Sequence, residues 1–269
     1  MSANCYNHKK HIYIFASQVA ACVGRNPYKS RGDAFMEVLQ RVDPVKCTQV
    51  AQQDNYVDDK AALETAVQDP QTVQQVLSHA AAATNHAQVE GIVKQCIRTI
   101  EDSGVSLAAL PDKQAAQVQR AVRSAVQTSV GVHEEAPVFD RVNKKRQDNR
   151  EPVFAKDHTL HKICMGECNG RKWFVCGRVD GLARSAGLPV QVLEIKNRMR
   201  RLFGRVVEYE KIQATCYMAM LDARSALIVE AHGHDMLEHE VAFDEAYWND
   251  VLKPELAAFV QDLADVLDA

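Results

Sequence analysis

The 269-residue sequence lacks several features that would have settled its class at once. No apolar stretch approaches the roughly 18 residues needed to span a bilayer, and the opening "MSANCYNHKK" has neither the apolar segment nor the small-residue cleavage site of a secretory signal. The expectation is an intracellular protein with no membrane partner, not secreted. There is no G-x-x-x-x-G-K-[ST] phosphate loop and no fixed-period repeat, which argues against a P-loop nucleotide site and a solenoid. Nor is there a surplus of positive charge. Lys and Arg number 32 against 35 Asp and Glu, a formal net charge of −3, so a nucleic acid would have to be met by locally concentrated basic residues.

Eight cysteines are present without a single tight C-x-x-C pair. Their spacing is irregular, and runs such as "KICMGEC" and "WFVCGRV" place them in apolar, strand-like surroundings, so reduced thiols are expected rather than disulfides. His158, His161, Cys164 and Cys168 are the right ligand types for zinc. The run "HTLHKICMGEC" leads straight into a strand, however, and strand thiols are the preferred reading. "HGH" at 232 to 234 follows a strand and reads as a turn with two exposed histidines.

What is present is 46% hydrophobic residues, enough for one large core in one domain or two. The start "HIYIFASQVAACVGRNPYKSRGDAFMEVLQRV" predicts a short strand, a helix capped by Ser17 and ending near Gly24, an Asn-Pro turn, and a second helix over about 33–41. From 45 to 130 the chain turns to Ala, Gln and Val with helical period, which predicts an inserted helical layer. "GVHEEAPVFDRV" reads as the end of a helical element and "NKKRQDNR" as a polar connection. Two strand-like runs flank Asn169-Gly170, the pair a type I′ hairpin turn requires. "LPVQVLEIK" is apolar on both faces, as a covered central strand should be. A helix over "YEKIQATCYMAMLDA", strands at "SALIVEA" and "MLEHEVAF", and a C-terminal helix capped by Asp244 and interrupted by Pro254 complete the order. The expectation is an α/β (α+β) fold, one mixed central sheet flanked by helices on both faces.

Within that apolar frame three charges stand out. Glu194 and Lys196 share one face of a strand, about 6.6 Å apart along it, and Asp180 closes the preceding strand. If the strands are neighbours the carboxylates converge, and at about 4 Å and an effective dielectric near 20 they repel by roughly 4 kcal/mol. A divalent cation relieves that repulsion. Mg²⁺, with Mn²⁺ as the substitute, takes carboxylates, waters and a phosphate oxygen, while a lysine can orient water or neutralise charge, an arrangement suited to phosphodiester hydrolysis. The plainer alternative is a surface ion pair between Glu194 and Lys196, worth about 1 kcal/mol at most.

"VDG…LEIK" resembles the signature of the PD-(D/E)XK nucleases, with Val179 in place of the nominal proline. "EKIQATCYMAML" resembles the helix after the catalytic strand in the λ-exonuclease-like, or YqaJ, branch, and Gln213 falls on its glutamine. "GVHEE" is similar to the upstream Gly-x-x-x-Glu, which gives Glu135 as a further ligand, with Glu134 as the competing choice. "FASQVAACVGRNPYKS" resembles the branch's opening segment, with Ser17 on its serine and Lys10 where an arginine is usual.

The resemblance implies a restriction-endonuclease-like fold and a single nuclease domain over 1–269, made of N-terminal DNA-end-binding helices (1–44), a helical insertion (45–130) and a catalytic core (131–269). It implies a Mg²⁺-dependent exonuclease that resects double-stranded DNA ends from 5′ to 3′ in viral or phage-type recombination or repair. Asp180, Glu194, Glu135 and the Ile195 carbonyl would hold metal, Lys196 and Gln213 would act beside them, and Lys10, Ser17, Arg25, Ser30, Arg178, Arg198, Arg200 and Arg201 would contact DNA. A single-strand annealing protein and further copies of the chain are the implied partners. The alternatives are an endonuclease on the same fold and a degenerate DNA-end-binding protein. An iron–sulfur cluster of the kind found in some related nucleases is not expected, because no cysteine follows Cys216. "RVNKKRQDNR" and "KNRMRRLFGR" each concentrate five basic residues that would supply phosphate contacts.

Overall fold

The computed structural model describes residues 10–54, 56–185 and 187–269; Cys5 and the first nine residues of the expected DNA-end segment lie outside them. Strand β1 (Ile12–Phe15) runs directly into helix α1 (Ala16–Cys22). Because no loop separates them, the N-cap position falls on Phe15 and not on Ser17, which sits exposed in the first turn. The end of α1 is as expected. Gly24 takes φ +72°, and the N–H groups of Gly24 and Arg25 close back on the Ala21 and Ala20 carbonyls, a Schellman ending that favours glycine. Helix α2 (Arg31–Val42) starts at a capping box in which Ser30 and Asp33 exchange side-chain and backbone bonds.

Helices α3 (Pro44–Gln53), α4 (Asp59–Val67), α5 (Pro70–Ala81), α6 (Val89–Asp102) and α7 (Asp112–Asp148) follow. Asp43, Asp58 and Asp69 cap α3, α4 and α5, and Pro44 and Pro70 open α3 and α5, where a missing N–H costs nothing. The segment expected to be a helical layer is therefore helical, but its end is not at residue 130. Helix α7 runs on through Gly131, Pro137 and the whole of "NKKRQD". The cause is a change of partner along one helix. Val118, Val122, Val126 and Val130 pack into the core formed with α4 to α6, whereas Val138, Phe139 and Val142 pack against the sheet. The stripe is broken between the two cores, and the break reads in sequence as the end of an element.

Strands β2 (His161–Cys168) and β3 (Arg171–Gly177) form the hairpin, with Asn169 at φ +49° and Gly170 at φ +76°, the left-handed pair of a type I′ turn. Then come β4 (Gly181–Ala183), β5 (Gln191–Asn197), α8 (Glu208–Leu221), β6 (Ser225–His232), β7 (Asp235–Ala242) and α9 (Lys253–Asp268). Asp244 accepts from the Tyr247 N–H as the expected cap, and a π-helical stretch over Tyr247–Leu252 precedes α9, with Pro254 in its first turn.

Among the described residues the strands make two hydrogen-bonded sheets rather than one. Their orders are β1-β3-β2 and β4-β5-β6-β7, and each mixes parallel and antiparallel pairs. The division falls at Arg178-Val179-Asp180, where the chain leaves β3 and bends before β4. Helices cover both faces of the second sheet. On β5 and β6, Val192, Ala226 and Ile228 join the core shared with α8, while Leu193, Ile195, Leu227 and Val229 join the core under α7. The mixed α/β class is as expected. Among the described residues no helix is long and apolar enough to cross a membrane.

Candidate active site

Strand β4, three residues long and not anticipated from sequence, brings the acids together. Gly181 pairs with Leu193 in the antiparallel ladder, so one step beyond it Asp180 stands opposite Glu194. Asp180 Oδ2 accepts the backbone N–H of Ile195 at 2.5 Å. Glycine is required at 181 because a Cβ there would lie 2.8 Å from Phe139 Cε2 and 3.2 Å from the Ala155 carbonyl oxygen.

Glu194 is 5% exposed. Its Oε1 accepts from Lys196 Nζ at 2.8 Å and from Gln213 Nε2 at 2.7 Å, and Lys196 Nζ also donates to Gln213 Oε1 at 2.9 Å. Gln213 comes from α8, which packs on the face of β5 that carries Glu194 and Lys196. Glu194 Oε2 is buried and, among the described residues, has no hydrogen-bond partner. Burial pushes the Glu194 carboxyl up, and Lys196 offsets this only in part. Burial, and then the charges of Glu194 and Glu135, push Asp180 up to about 8 against the bond from Ile195. Burial alone would depress Lys196; its carboxylate neighbours, Glu194 first, outweigh that and raise it. The site thus holds a protonated lysine and two carboxyls that resist ionisation.

A cation fits this arrangement. Two opposed carboxylates with raised affinity for protons, one of them with an unpartnered buried oxygen, form a site that a divalent ion would satisfy. Among the described residues no three His, Cys, Asp or Glu side chains already form a metal cage. Waters and substrate oxygens would have to complete the shell, which is how Mg²⁺ is usually held. Of the two upstream acids, Glu135 is the one whose charge both Asp180 and Glu194 feel. Glu134 instead bonds His86 Nδ1 at 2.8 Å.

The zinc-type group does not assemble. His161 pairs with Asp157, Cys168 Sγ bonds Gln261 and Cys164 lies exposed on β2. The seven cysteines among the described residues are all free thiols. In the β6–β7 turn His234 is exposed, but His232 is half-buried and its Nδ1 meets the Arg198 carbonyl at 2.9 Å.

The expected DNA-contacting residues divide sharply. Lys10, Ser17, Arg200 and Arg201 are exposed, and so is Arg178, whose Nε donates to the His158 carbonyl. Ser30 is engaged as a helix cap. Arg25 is tied to Tyr247, Glu255 and Glu208. Arg198 is the clearest departure from expectation. It is 7% exposed, holds Glu210 through two bonds of 2.5 and 2.8 Å and Glu230 at 3.0 Å, and lies over the Phe203 ring. The first basic run is engaged in part, since Arg146 is buried over Phe154, Lys145 pairs with Glu238 and Arg141 bonds two turn carbonyls, while Lys144 and Arg150 are exposed. Tyr217, one turn beyond Gln213 and 4% exposed, accepts from the Gln213 amide at 3.0 Å and escaped notice in sequence, although its i, i+4 spacing announces the contact.

No family model matches the sequence, and neither does any curated protein. Among solved structures the chain is similar to the protein described as SSO0001, with a TM-score of 0.39 and 17% identity over 57% of this chain and 69% of that one. It is also similar to the alkaline exonuclease LHK-Exo from Laribacter hongkongensis, with a TM-score of 0.36 and 14% identity over 48% and 68%. A complex of LHK-Exo with dAMP gives 0.37 and 14% over 71% and 92%. Likenesses this distant leave function to be argued from the site.

Proposed function

We propose that the chain is a Mg²⁺-dependent deoxyribonuclease of the PD-(D/E)XK type that degrades double-stranded DNA from its ends in the 5′ to 3′ direction, in viral or phage-type recombination or repair. A single-strand annealing protein is the partner such resection would serve. The observation that carries the reading is the buried Glu194 carboxylate, opposed by Asp180, with Lys196 and Gln213 both on one of its oxygens and, among the described residues, no partner on the other. A fold has no stabilising reason to bury such a group, since removing an ion from water costs several kcal/mol unless partners compensate fully.

Glu194 through Oε2 and Asp180 would hold Mg²⁺, helped by the Ile195 carbonyl and by Glu135. The ion, when bound, supplies Lewis acidity to the scissile phosphate and acidity to a coordinated water. Lys196, kept protonated by Glu194, orients the attacking water and offsets charge growing on the phosphate. Gln213 fixes the Lys196 ammonium by accepting from it and fixes Glu194 by donating to it, so both are placed before substrate arrives. Exposed Lys10, Arg178, Arg200 and Arg201 offer phosphate contacts.

The test is digestion of end-labelled linear duplex with Mg²⁺ or EDTA, with and without a 5′-phosphate, by the wild type, Glu194→Ala and Lys196→Ala. Each substitution should lower the rate by on the order of 10²–10³-fold or more while DNA binding persists. Undiminished digestion by both variants would remove the assignment, and cleavage of a covalently closed circle would replace exonuclease with endonuclease.

A further inference from the structure

Two ties hold the turn of α7 that presents Glu135, and neither belongs to the metal and substrate machinery above. One comes from β5. Asn197 follows Lys196 and points to the opposite face, where its Nδ2 donates to the Gly131 carbonyl at 2.8 Å. In an α-helix that carbonyl is also the acceptor of the N–H four residues on, which is that of Glu135. The other comes from the helical insertion. His86, in the short 3₁₀ turn His86–Gln88 that precedes α6, donates from Nδ1 to the Glu134 carboxylate at 2.8 Å. Its ring also meets His232 edge-on at 5.2 Å, and His232 in turn holds the Arg198 carbonyl.

Both ties are half-buried. His86 Nε2 and Asn197 Oδ1 are each buried and, among the described residues, without a hydrogen-bond partner. A fold that needed these contacts only for cohesion would do better with apolar side chains of similar size, because each unmatched polar atom costs about 1–3 kcal/mol. What the ties achieve is orientation. With Glu134 engaged by His86 and the Gly131 turn pinned by Asn197, the neighbouring Glu135 is left as the acid whose charge Asp180 and Glu194 feel.

We infer that His86 and Asn197 are positioning residues for Glu135, so that the helical insertion forms part of the metal site through His86. This rests on the proposed metal-dependent reading. Partners that orient a metal ligand commonly change affinity by about 10–100-fold when removed, without touching the ion.

Metal binding can be read without catalysis by titrating the full-length protein with Mn²⁺ and following free Mn²⁺ by electron paramagnetic resonance. His86→Ala and Asn197→Ala should each weaken Mn²⁺ binding by about 10–100-fold. His86→Phe, which keeps a ring against His232 but cannot donate to Glu134, should behave like His86→Ala and covers the case in which the alanine variant fails to fold. His86→Asn, whose amide places a donor near the position of Nδ1, should recover most of the affinity. Arg123→Ala breaks a salt bridge to Glu90 within the same insertion and should leave affinity unchanged. If His86→Phe and Asn197→Ala bind Mn²⁺ as the wild type does, or if Arg123→Ala weakens binding equally, the positioning role is wrong and the nuclease reading stands. If the wild type binds no Mn²⁺, the nuclease reading itself fails and this inference falls with it.

Discussion

Asp180 stands opposite Glu194 across the β4–β5 ladder, with its Oδ2 held by the Ile195 N–H at 2.5 Å. The pair sits where the chain passes from one sheet to the other, and only the three residues of β4 make Asp180 a neighbour of β5. Burial raises both carboxyls, and the charge of Glu194 adds to the rise at Asp180. Without a cation the folded protein therefore binds protons that the unfolded chain releases at much lower pH.

That linkage has a definite sign. Asp180 moves from an ordinary value of 3.8 to about 8 on folding, so the associated stability is present below about 4 and is lost as pH rises through about 8. Thermal melts in EDTA should show the melting temperature falling from pH 5 to pH 8.5. Asp180→Asn, which cannot ionise, should flatten the profile and melt above the wild type at pH 8. Parallel profiles for the two proteins would show that Asp180 is not the titrating group.

The arginines after Lys196 should separate cleanly. Arg198→Ala strands Glu210 and Glu230, 1% and 0% exposed, and should cost about 3–5 kcal/mol of stability in a denaturant titration. Arg200→Ala and Arg201→Ala should leave the unfolding midpoint unchanged while weakening duplex binding, each reducing the slope of log K against log salt by about 1. A wild-type midpoint for Arg198→Ala would contradict its structural role.

Gly181 and Gly91 should respond oppositely to alanine. At 181 the added methyl meets Phe139 and the Ala155 carbonyl, which should cost about 1–3 kcal/mol and, through displacement of Asp180, lower activity further. At 91, inside α6, nothing lies within 4 Å, and alanine should stabilise by about 0.5–1 kcal/mol. Melting temperatures of the two variants measured side by side test both.

What the sequence disclosed follows from where its rules are local. Asn169-Gly170 identifies the hairpin because only such residues accept two successive left-handed conformations at low cost. Glu194 and Lys196 were conspicuous because they interrupt a strand apolar on both faces, and Gln213 came only with the family resemblance. The rest depended on tertiary partners. The break in the valine stripe of α7 looks like an ending until the two cores it joins are seen. Arg198 looks like its exposed neighbours until Glu210 and Glu230, 12 and 32 residues away, are found against it. The contact between His86 and Glu134 spans 48 residues and has no local signature.

Gln213 offers the sharpest test of how the site is held. Its amide does two jobs at once, accepting from Lys196 at 2.9 Å while donating to Glu194 at 2.7 Å and to the Tyr217 hydroxyl at 3.0 Å. Gln213→Glu keeps the acceptor for Lys196 but replaces the donor with a third acid against Glu194. It should lower activity more than Gln213→Met, which removes all the polar contacts yet adds no charge. Tyr217→Phe takes away only the outer hydroxyl and should cost about 1 kcal/mol of stability with a smaller loss of rate than either. Single-turnover digestion under saturating Mg²⁺ ranks the three directly. If the methionine variant were the slowest, Gln213 would act mainly by holding Lys196; if all three matched the wild type, the amide would have no part in arranging the site.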